Sequence, residues 1–422
     1  MRIIADLQIH SPYSRATSQN MNLHDLNRFS KIKGLGIVGT GDFTHPGWRK
    51  ELSRSLEEFQ GSRLCMLKGM SSVLYMITGE VNTTYVFGEK SRRVHHCLLA
   101  PSIESSAAVS DRLSKFGNLG SDGRPTLQMS AMELVDEVLE ADSKCVVFPA
   151  HAWTPWFSLF GSNSGFDSIA DCYQERVDRI FALETGMSSD PPMNWRLSQL
   201  DRFCLVSNSD AHSAWPWRLG REANVFDLEE VTYEKVVGAI RAKDPRRFLF
   251  TIETSPEYGK YHWTGHRACQ ISMSAQEARK VGDKCPSCEK KMTRGVEERV
   301  EELADRPPGF TPENAVGYRH LLPLSEIIGV VIGQENPASS RVWETYDALT
   351  KRFGSEYSVM LDAPYDQLAQ SAGADLAQAI LKVRNDQVFV EPGYDGVYGR
   401  MDFSKQPLAR GNTNPVGLEQ YV

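Results

Sequence analysis

The stretch Phe203-Cys-Leu-Val-Ser207-Asn-Ser-Asp210-Ala-His212-Ser213 decides the reading of this chain. Four apolar residues form a short buried strand, and the chain then turns polar at once. It sets a carboxylate and an imidazole two positions apart, just past the strand. Similar endings recur upstream. One strand ends in Asp6-Leu-Gln8-Ile-His10-Ser11 and a second in Gly39-Thr-Gly-Asp42-Phe-Thr-His45-Pro46. A third ends in Thr78-Gly-Glu80, and a fourth carries His95-His96. Two more end in Pro149-Ala-His151 and in Leu183-Glu184-Thr185-Gly186. Each of these consecutive strand ends offers a His, Asp, Glu or Gln.

Working outward, the strand candidates are 3–9, 36–40, 75–81, 93–100, 145–150, 179–184 and 203–207. Helical stretches at 23–32, 48–59, 130–140 and 192–200 fit between most of them. This alternation predicts an α/β fold with a parallel sheet, and its length predicts closure into a barrel. In such barrels the strand ends at one face converge on the active site. Imidazole and carboxylate together suit Zn²⁺, Mn²⁺ or Fe²⁺. With this many donors, two or three ions fit. Multi-metal sites clamp the attacking and leaving oxygens of phosphate esters and generate hydroxide at neutral pH.

Composition sets the frame. The chain has 422 residues, 41% hydrophobic and 24% charged, as ordinary globular domains do, which excludes a disordered, collagenous or disulfide-scaffold class. A net charge of −7 argues against wholesale wrapping of nucleic acid but leaves a local basic groove open. No apolar run reaches the ~18 residues of a membrane span. The start Met1-Arg-Ile-Ile-Ala-Asp6 turns polar too soon for a signal peptide, so cytoplasmic residence is expected. Cys65, Cys97, Cys145, Cys172 and Cys204 lie scattered in apolar runs and read as buried free thiols.

The remaining cysteines cluster. His266-Arg-Ala-Cys269 is followed, after fifteen residues, by Cys285-Pro-Ser-Cys288. Two knuckles of this spacing close one tetrahedron, predicting a structural zinc site with one Zn²⁺ held by His266, Cys269, Cys285 and Cys288. His262 is an alternative to His266. The predicted organisation is a catalytic barrel over 1–254, a zinc ribbon over 255–300, a mainly helical domain over 301–404 and a flexible tail over 405–422. The charged segment 297–306 reads as a connector.

The order of Gln8-x-His10, Asp42, Glu80, His96, His151 and Asp210-x-His212 resembles the polymerase-and-histidinol-phosphatase (PHP) superfamily. That resemblance implies a distorted (β/α)7 barrel with a multinuclear metal site. Two motifs depart from the superfamily pattern: Gln8 stands where a His is usual, and Gly-Asp42-Phe-Thr-His45 replaces Thr-Asp-His. The barrel, the ribbon, Glu302-Leu-Ala-Asp-Arg-Pro307 and Gly393-Tyr-Asp-Gly-Val-Tyr-Gly399, taken together, resemble the endonuclease Q family of that superfamily. This implies cleavage of DNA 5′ to deaminated bases (uracil, hypoxanthine, xanthine) and abasic sites. It implies two or three divalent ions, zinc, manganese or magnesium, on His10, Glu80, His96, His151, Asp210 and His212. Asp210, His212, Glu80 and His151 are then the catalytic set. Gln8, Asp42 and His45 are ligands or orient water.

The same resemblance implies damaged DNA as the partner, and several smaller features bear on how it would be held. Trp153 and Trp156, with Trp215 and Trp217, follow two strand ends and either pack as a lid or stack on bases. Tyr394 and Tyr398, among the glycines of 393–399, either read a flipped base or hold a tight turn. Arg218, Arg221, Arg241, Lys243, Arg246 and Arg247 form a basic run, a solvated face or a phosphate track. The terminal Gly417-Leu418-Glu-Gln-Tyr421-Val422 weakly resembles a peptide that binds the DNA sliding clamp. Two other functions fit the barrel motifs: a phosphatase acting on a small phosphate monoester, and an inactive DNA-binding adaptor.

Overall fold

The apolar run at the N-terminus, Arg2–Asp6, becomes β1 at the centre of a mixed sheet in the computed structural model, which describes residues 1–406 apart from 71 and 335. Next in chain order come β2 (Ile37–Gly39), β3 (Leu56–Glu58), β4 (Cys65–Leu67), β5 (Leu74–Phe87), β6 (Lys90–Ala100) and β7 (Thr126–Leu127). They are followed by β8 (Val146–Pro149), β9 (Ala182–Glu184), β10 (Cys204–Val206), β11 (Ala223–Asp227) and β12 (Phe248–Glu253). β1, β2 and β5 pair in parallel, as the alternation predicts. The helices Leu23–Lys33 and Ala131–Ala141 fall where expected. The second starts on a Ser130/Glu133 capping box and buries Leu134, Val135 and Val138 against the core.

The sheet is not parallel throughout. β5 and β6 are one long antiparallel hairpin, and β6 pairs antiparallel with β8. The reason is chain length: only residues 88 and 89 separate β5 from β6, and a parallel crossover needs a dozen or more. The predicted strands 75–81 and 93–100 are the outer parts of that hairpin. β11 also runs antiparallel to β1. β9 and β10 form a separate parallel pair. Backbone bonds from Ala152 to Glu184 (2.9 Å) and from His10 to Ala211 (3.0 Å) tie its ends to those of β8 and β1.

A hairpin of β13 (Thr264–His266) and β14 (Ile271–Met273), with helix Ala275–Val281, encloses its own small cluster of Met273, Ala278, Cys285 and Met292. Beyond it, β15 (Gly317–His320) returns to pair in parallel with β12. The C-terminal part therefore shares the central sheet, and one apolar core runs from Ile4 to Val383. Helices Leu324–Val331 and Ser340–Phe353 lie in the span expected to be mainly helical. The stretch 365–383 is two helices, Tyr365–Ala372 and Ala374–Arg384, broken at Gly373. A short hairpin of β16 (Phe389–Glu391) and β17 (Arg400–Asp402) closes the described chain.

The charged segment 297–306 is a packed helix rather than a connector. Val296–Leu303 buries Val296, Arg299 and Val300 in one stripe. Arg299 donates to the carbonyls of Phe160 and Phe166 and pairs with Asp167. No helix of the described residues is long and apolar enough to cross a membrane. The clamp-like peptide lies outside the described residues.

Candidate metal centre

Register decides which side chains meet. In the β5–β6 hairpin Glu80 faces Cys97 and Asn82 faces His95 across the ladder. Side chains alternate along a strand, so His95 shares a face with Glu80 while His96 points to the other. Glu80 is the hub. Its carboxylate lies 2.8 Å from His95 Nδ1, 3.2 Å from His151 Nε2 and 3.0 Å from His10 Nε2. His10 Nε2 is also 2.9 Å from Asp210 Oδ1. Two donor groups result, Glu80–His95–His151 and His10–Asp210–His212, each with its ligand atoms within 4.8 Å of one another. His10 joins them. A buried carboxylate hub ringed by imidazoles is the donor chemistry of Zn²⁺ or Mn²⁺, and the residues present fit such ions.

The backbone is bent to serve this face. Asp42, His151 and Asp210 all have positive φ, at 47°, 29° and 47°. Such conformations cost about 1–3 kcal/mol each and gather at functional sites. Buried Asp42 anchors rather than joins the donor groups. Its Oδ2 accepts from Ser11 N (2.6 Å), Ser11 Oγ (2.7 Å) and Ser14 Oγ (2.9 Å), and its Oδ1 lies 3.0 Å from His10 Nδ1. That bond turns His10 Nε2 toward Asp210 and Glu80.

Gly123 closes over the same carboxylate. A Cβ there would fall 2.3 Å from Asp42 Oδ2 and from Ser14 Oγ. Gly123→Ala is expected to displace Asp42, loosen His10 and lower activity by ~10-fold or more, as loss of a ligand-orienting group does. Metal titration beside a melting curve checks this. An unchanged metal affinity would mean that Asp42 does not orient His10.

The carboxylates and imidazoles of this face also shift one another's titration. Burial opposes charge on Glu80, but Arg124, His95, His10 and His151 outweigh it and hold the carboxyl well below its ordinary value. Burial opposes charge on His10 too, yet Asp42, Asp210 and Glu80 hold its pKa well above 6.5. Burial pushes His95 down to about 3. Burial pushes Glu184 up to about 8. Its oxygens accept from the His151 backbone (2.7 Å) and from Asn208 (2.7 Å), so it braces the strand ends from behind.

Several sequence expectations need correction. His96 faces away from the donors, with Nε2 2.9 Å from Thr83 Oγ1 and Nδ1 2.8 Å from the Tyr173 hydroxyl. Its neighbour His95 takes the place assigned to it. His45 is in neither group, and its ring packs at a tilt against Tyr13 at 4.3 Å. Gln8 donates to Glu80 (3.0 Å) and accepts from Cys97 (2.9 Å), so it orients the hub carboxylate. Trp153 is a core residue, packed on Phe160 and donating to Asn194. Sequence reading also missed Arg124, whose guanidinium lies 3.3 Å from Glu80. A loop arginine carries no strand-end signal. His95 did carry one, because the two-residue turn fixes the parity of the hairpin.

The Cys/His cluster forms a third candidate donor group. His266, Cys269, Cys285 and Cys288 bring their ligand atoms within 4.8 Å of one another, a Cys₃His set that fits tetrahedral Zn²⁺. Burial raises the Cys285 thiol, but the backbone N–H groups of Ser287 and Cys288 and the His266 ring bring it down to about 7. His262 lies apart, lining a cavity of about 240 Å³. The five scattered cysteines are buried and free.

Trp156 is exposed and meets Tyr261 edge-on. Trp215 and Trp217 stack at 5.1 Å with nearly parallel planes, and Trp343 packs against both. Tyr394 packs its ring against Gly265 of the β13–β14 hairpin, while Tyr398 is exposed. Of the basic run, Arg246 pairs with Asp244 and Lys243 donates to the Asp201 carbonyl.

Residues 323–387 match a family profile described as the MJ0043 C-terminal domain. The uncharacterized protein MJ0043 of Methanocaldococcus jannaschii is 34% identical over 268 residues, which is 61% of this chain and 32% of that protein. The match thus spans about a third of that relative's length. The lesion-specific endonuclease PfuEndoQ of Pyrococcus furiosus superposes with a TM-score of 0.84 at 33% identity, over 95% of both chains. An endonuclease Q solved with a 27-mer duplex bearing an abasic lesion gives 0.85 at 34%, over 95% of this chain and 96% of that one. One residue in three is shared along nearly the full length of both molecules, on backbones that follow each other throughout, and this chain belongs to the endonuclease Q family.

Proposed function

We propose that this chain is a metal-dependent DNA-repair endonuclease that hydrolyses the phosphodiester 5′ to uracil, hypoxanthine, xanthine and abasic sites. The observation that carries the reading is the pair of donor groups around Glu80, in a chain of the endonuclease Q family. The mixed sheet is read as the distorted (β/α)7 barrel and residues 264–293 as its zinc ribbon. In this reading Glu80, His95 and His151 hold one divalent ion and His10, Asp210 and His212 another. Bound cations would stabilise charge at the phosphate and lower the pKa of water.

The chain's own residues do the rest. Asp42 fixes the His10 ring, Gln8 fixes one oxygen of Glu80, and Glu184 holds the His151 backbone. Arg124 sets a guanidinium at the hub, where a scissile phosphate would be oriented and its charge offset. Arg124→Ala is expected to lower the single-turnover rate by ~10²-fold, as loss of one donor to transition-state charge does, with metal content unchanged. Loss of metal instead would make it only a partner of Glu80. The exposed Trp156 offers a face on which a base could stack, while Trp215 sits in a cluster with Trp217, Trp343 and Phe29.

Tyr394 acts as a strut in this scheme. Tyr394→Ala is expected to lower the melting temperature and to reduce uracil and abasic cleavage alike. A selective loss on uracil would make it a base reader. The direct test of function incubates the protein with labelled uracil, hypoxanthine, abasic and undamaged duplexes under several divalent metals, beside an aryl phosphate monoester. Cleavage 5′ to the lesion supports the proposal. Turnover of the monoester alone would overturn it in favour of a small-molecule phosphatase.

A further inference from the structure

We infer that Arg218, Arg221 and Lys260, gathered around Tyr398, form a phosphate subsite beside the metal centre, which seats a phosphodiester flanking the cleaved one. Its place on a DNA strand rests on the function proposed above; its affinity for a phosphate does not.

Three cations meet here in a chain of net charge −7. The Arg218 guanidinium lies 5.9 Å from the Tyr398 ring centre and Lys260 Nζ lies 5.8 Å from it. Lys260 Nζ lies over the Tyr261 and Tyr398 rings and is in no ion pair among the described residues. Arg221 donates through Nε to the Ser209 carbonyl (3.0 Å), while its buried Nη1 finds no partner among the described residues. A buried guanidinium N–H left unpaired is unfavourable, and a phosphate oxygen is the acceptor it fits best. Arg218 meets a single carboxylate, Glu326, at 3.6 Å, and Tyr258 also bonds to that carboxylate. Asp6 and Glu222 lie within electrostatic reach of Arg221, but burial pushes both carboxyls up and weakens their charge.

The surroundings fix this cluster in place. Ser209, which Arg221 grips, directly precedes Asp210 of the metal centre. The turn carrying Tyr398 is zipped to the segment carrying Lys260, through Gly396 N to Lys260 O (2.9 Å) and Gly399 N to Tyr258 O (3.1 Å). A Cβ on Gly399 would fall 2.1 Å from the Glu257 carbonyl, so only glycine permits the approach. This gives the glycine-rich 393–399 motif a purpose: it presents Tyr398 to three cations. Burial raises the Tyr398 phenol, yet Arg221, Lys260 and Arg218 together draw it below its ordinary value, as a concentrated positive field does.

The test measures binding of an undamaged and a uracil duplex to the metal-loaded protein across a range of salt. Each phosphate contact adds about −0.9 to the log–log slope. Lys260→Gln and Arg218→Gln should each reduce the slope by about one contact and weaken binding by roughly 5–10-fold in moderate salt. Lys260→Arg should restore the slope. Tm is recorded for each variant, and Lys260, which makes no ion pair, is the variant that decides. Slopes equal to wild type in both Gln variants would overturn the subsite, even in a protein that cleaves lesions. A reduced slope in a protein that cleaves no lesion would keep the subsite and remove the proposed function.

Discussion

Asp210→Asn should remove cleavage of a uracil duplex while leaving duplex binding within a few-fold of wild type. The argument begins with the backbone. Asp210 sits at φ 47°, where most side chains are strained, but asparagine tolerates this region as well as aspartate does. The substitution therefore keeps both the shape and the local conformation of the strand end. What it removes is the negative charge 2.9 Å from His10 Nε2, in the group formed with His212. Loss of a charged ligand from a multi-metal site costs on the order of 10²-fold or more in rate. Single-turnover kinetics and metal analysis of the same preparation check this together. Rates near wild type with metal retained would take Asp210 out of the metal centre. Asp210→Ala is the less informative variant, because it adds backbone strain to the loss of charge.

The donors legible in the sequence were those that end an apolar run. Asp210-x-His212, His10, Glu80 and His151 each follow buried strand residues, and position alone brings them to one face. The choice between His95 and His96 needed a different kind of information. Adjacent residues of a strand face opposite ways, so the answer depends on hairpin register, which the turn at residues 88 and 89 fixes. The parallel sheet was overextended for the same reason: two apolar strands look alike whether a helix or a tight turn joins them.

Elsewhere the chemistry of the side chain misled. Arg299 reads as solvated within a charged run, yet its guanidinium is buried and satisfied by Phe160, Phe166 and Asp167. Trp153 reads as a loop aromatic near the site, and nothing local tells that it turns into the core while Trp156 stays outside. His266 has the knuckle spacing to Cys269, with His262 as its alternative. The β13–β14 hairpin separates them by carrying His266 to the cysteines.

Under the zinc-ribbon reading proposed above, Cys285→Ser should release one zinc per chain and unfold residues 264–293 without emptying the Glu80 and Asp210 groups. The local core explains the size of the effect. Among the described residues this segment's own cluster buries Met273, Ala278, Cys285 and Met292, with Cys269 and Ile271 packed against it, too little apolar surface to order a unit of that length by itself. Metal binding must supply the difference, and in small zinc units it supplies about 10–16 kcal/mol of folding free energy. Cys285 belongs both to the proposed ligand set and to that core, so serine removes a thiolate and buries a hydroxyl in its place. The consequence should spread along one path. Asp395 accepts from Arg267 N (2.6 Å) and from Thr293 Oγ1 (2.5 Å), tying the ribbon to the turn that holds Tyr398. A loosened ribbon should therefore weaken duplex binding by ~10-fold or more, while the Glu80 and Asp210 groups keep their metal. Zinc analysis, limited proteolysis across 264–293 and a salt titration of duplex binding measure the three parts. Zinc content unchanged in the variant would refute the ribbon assignment, and intact binding with zinc lost would separate the ribbon from the nucleic acid.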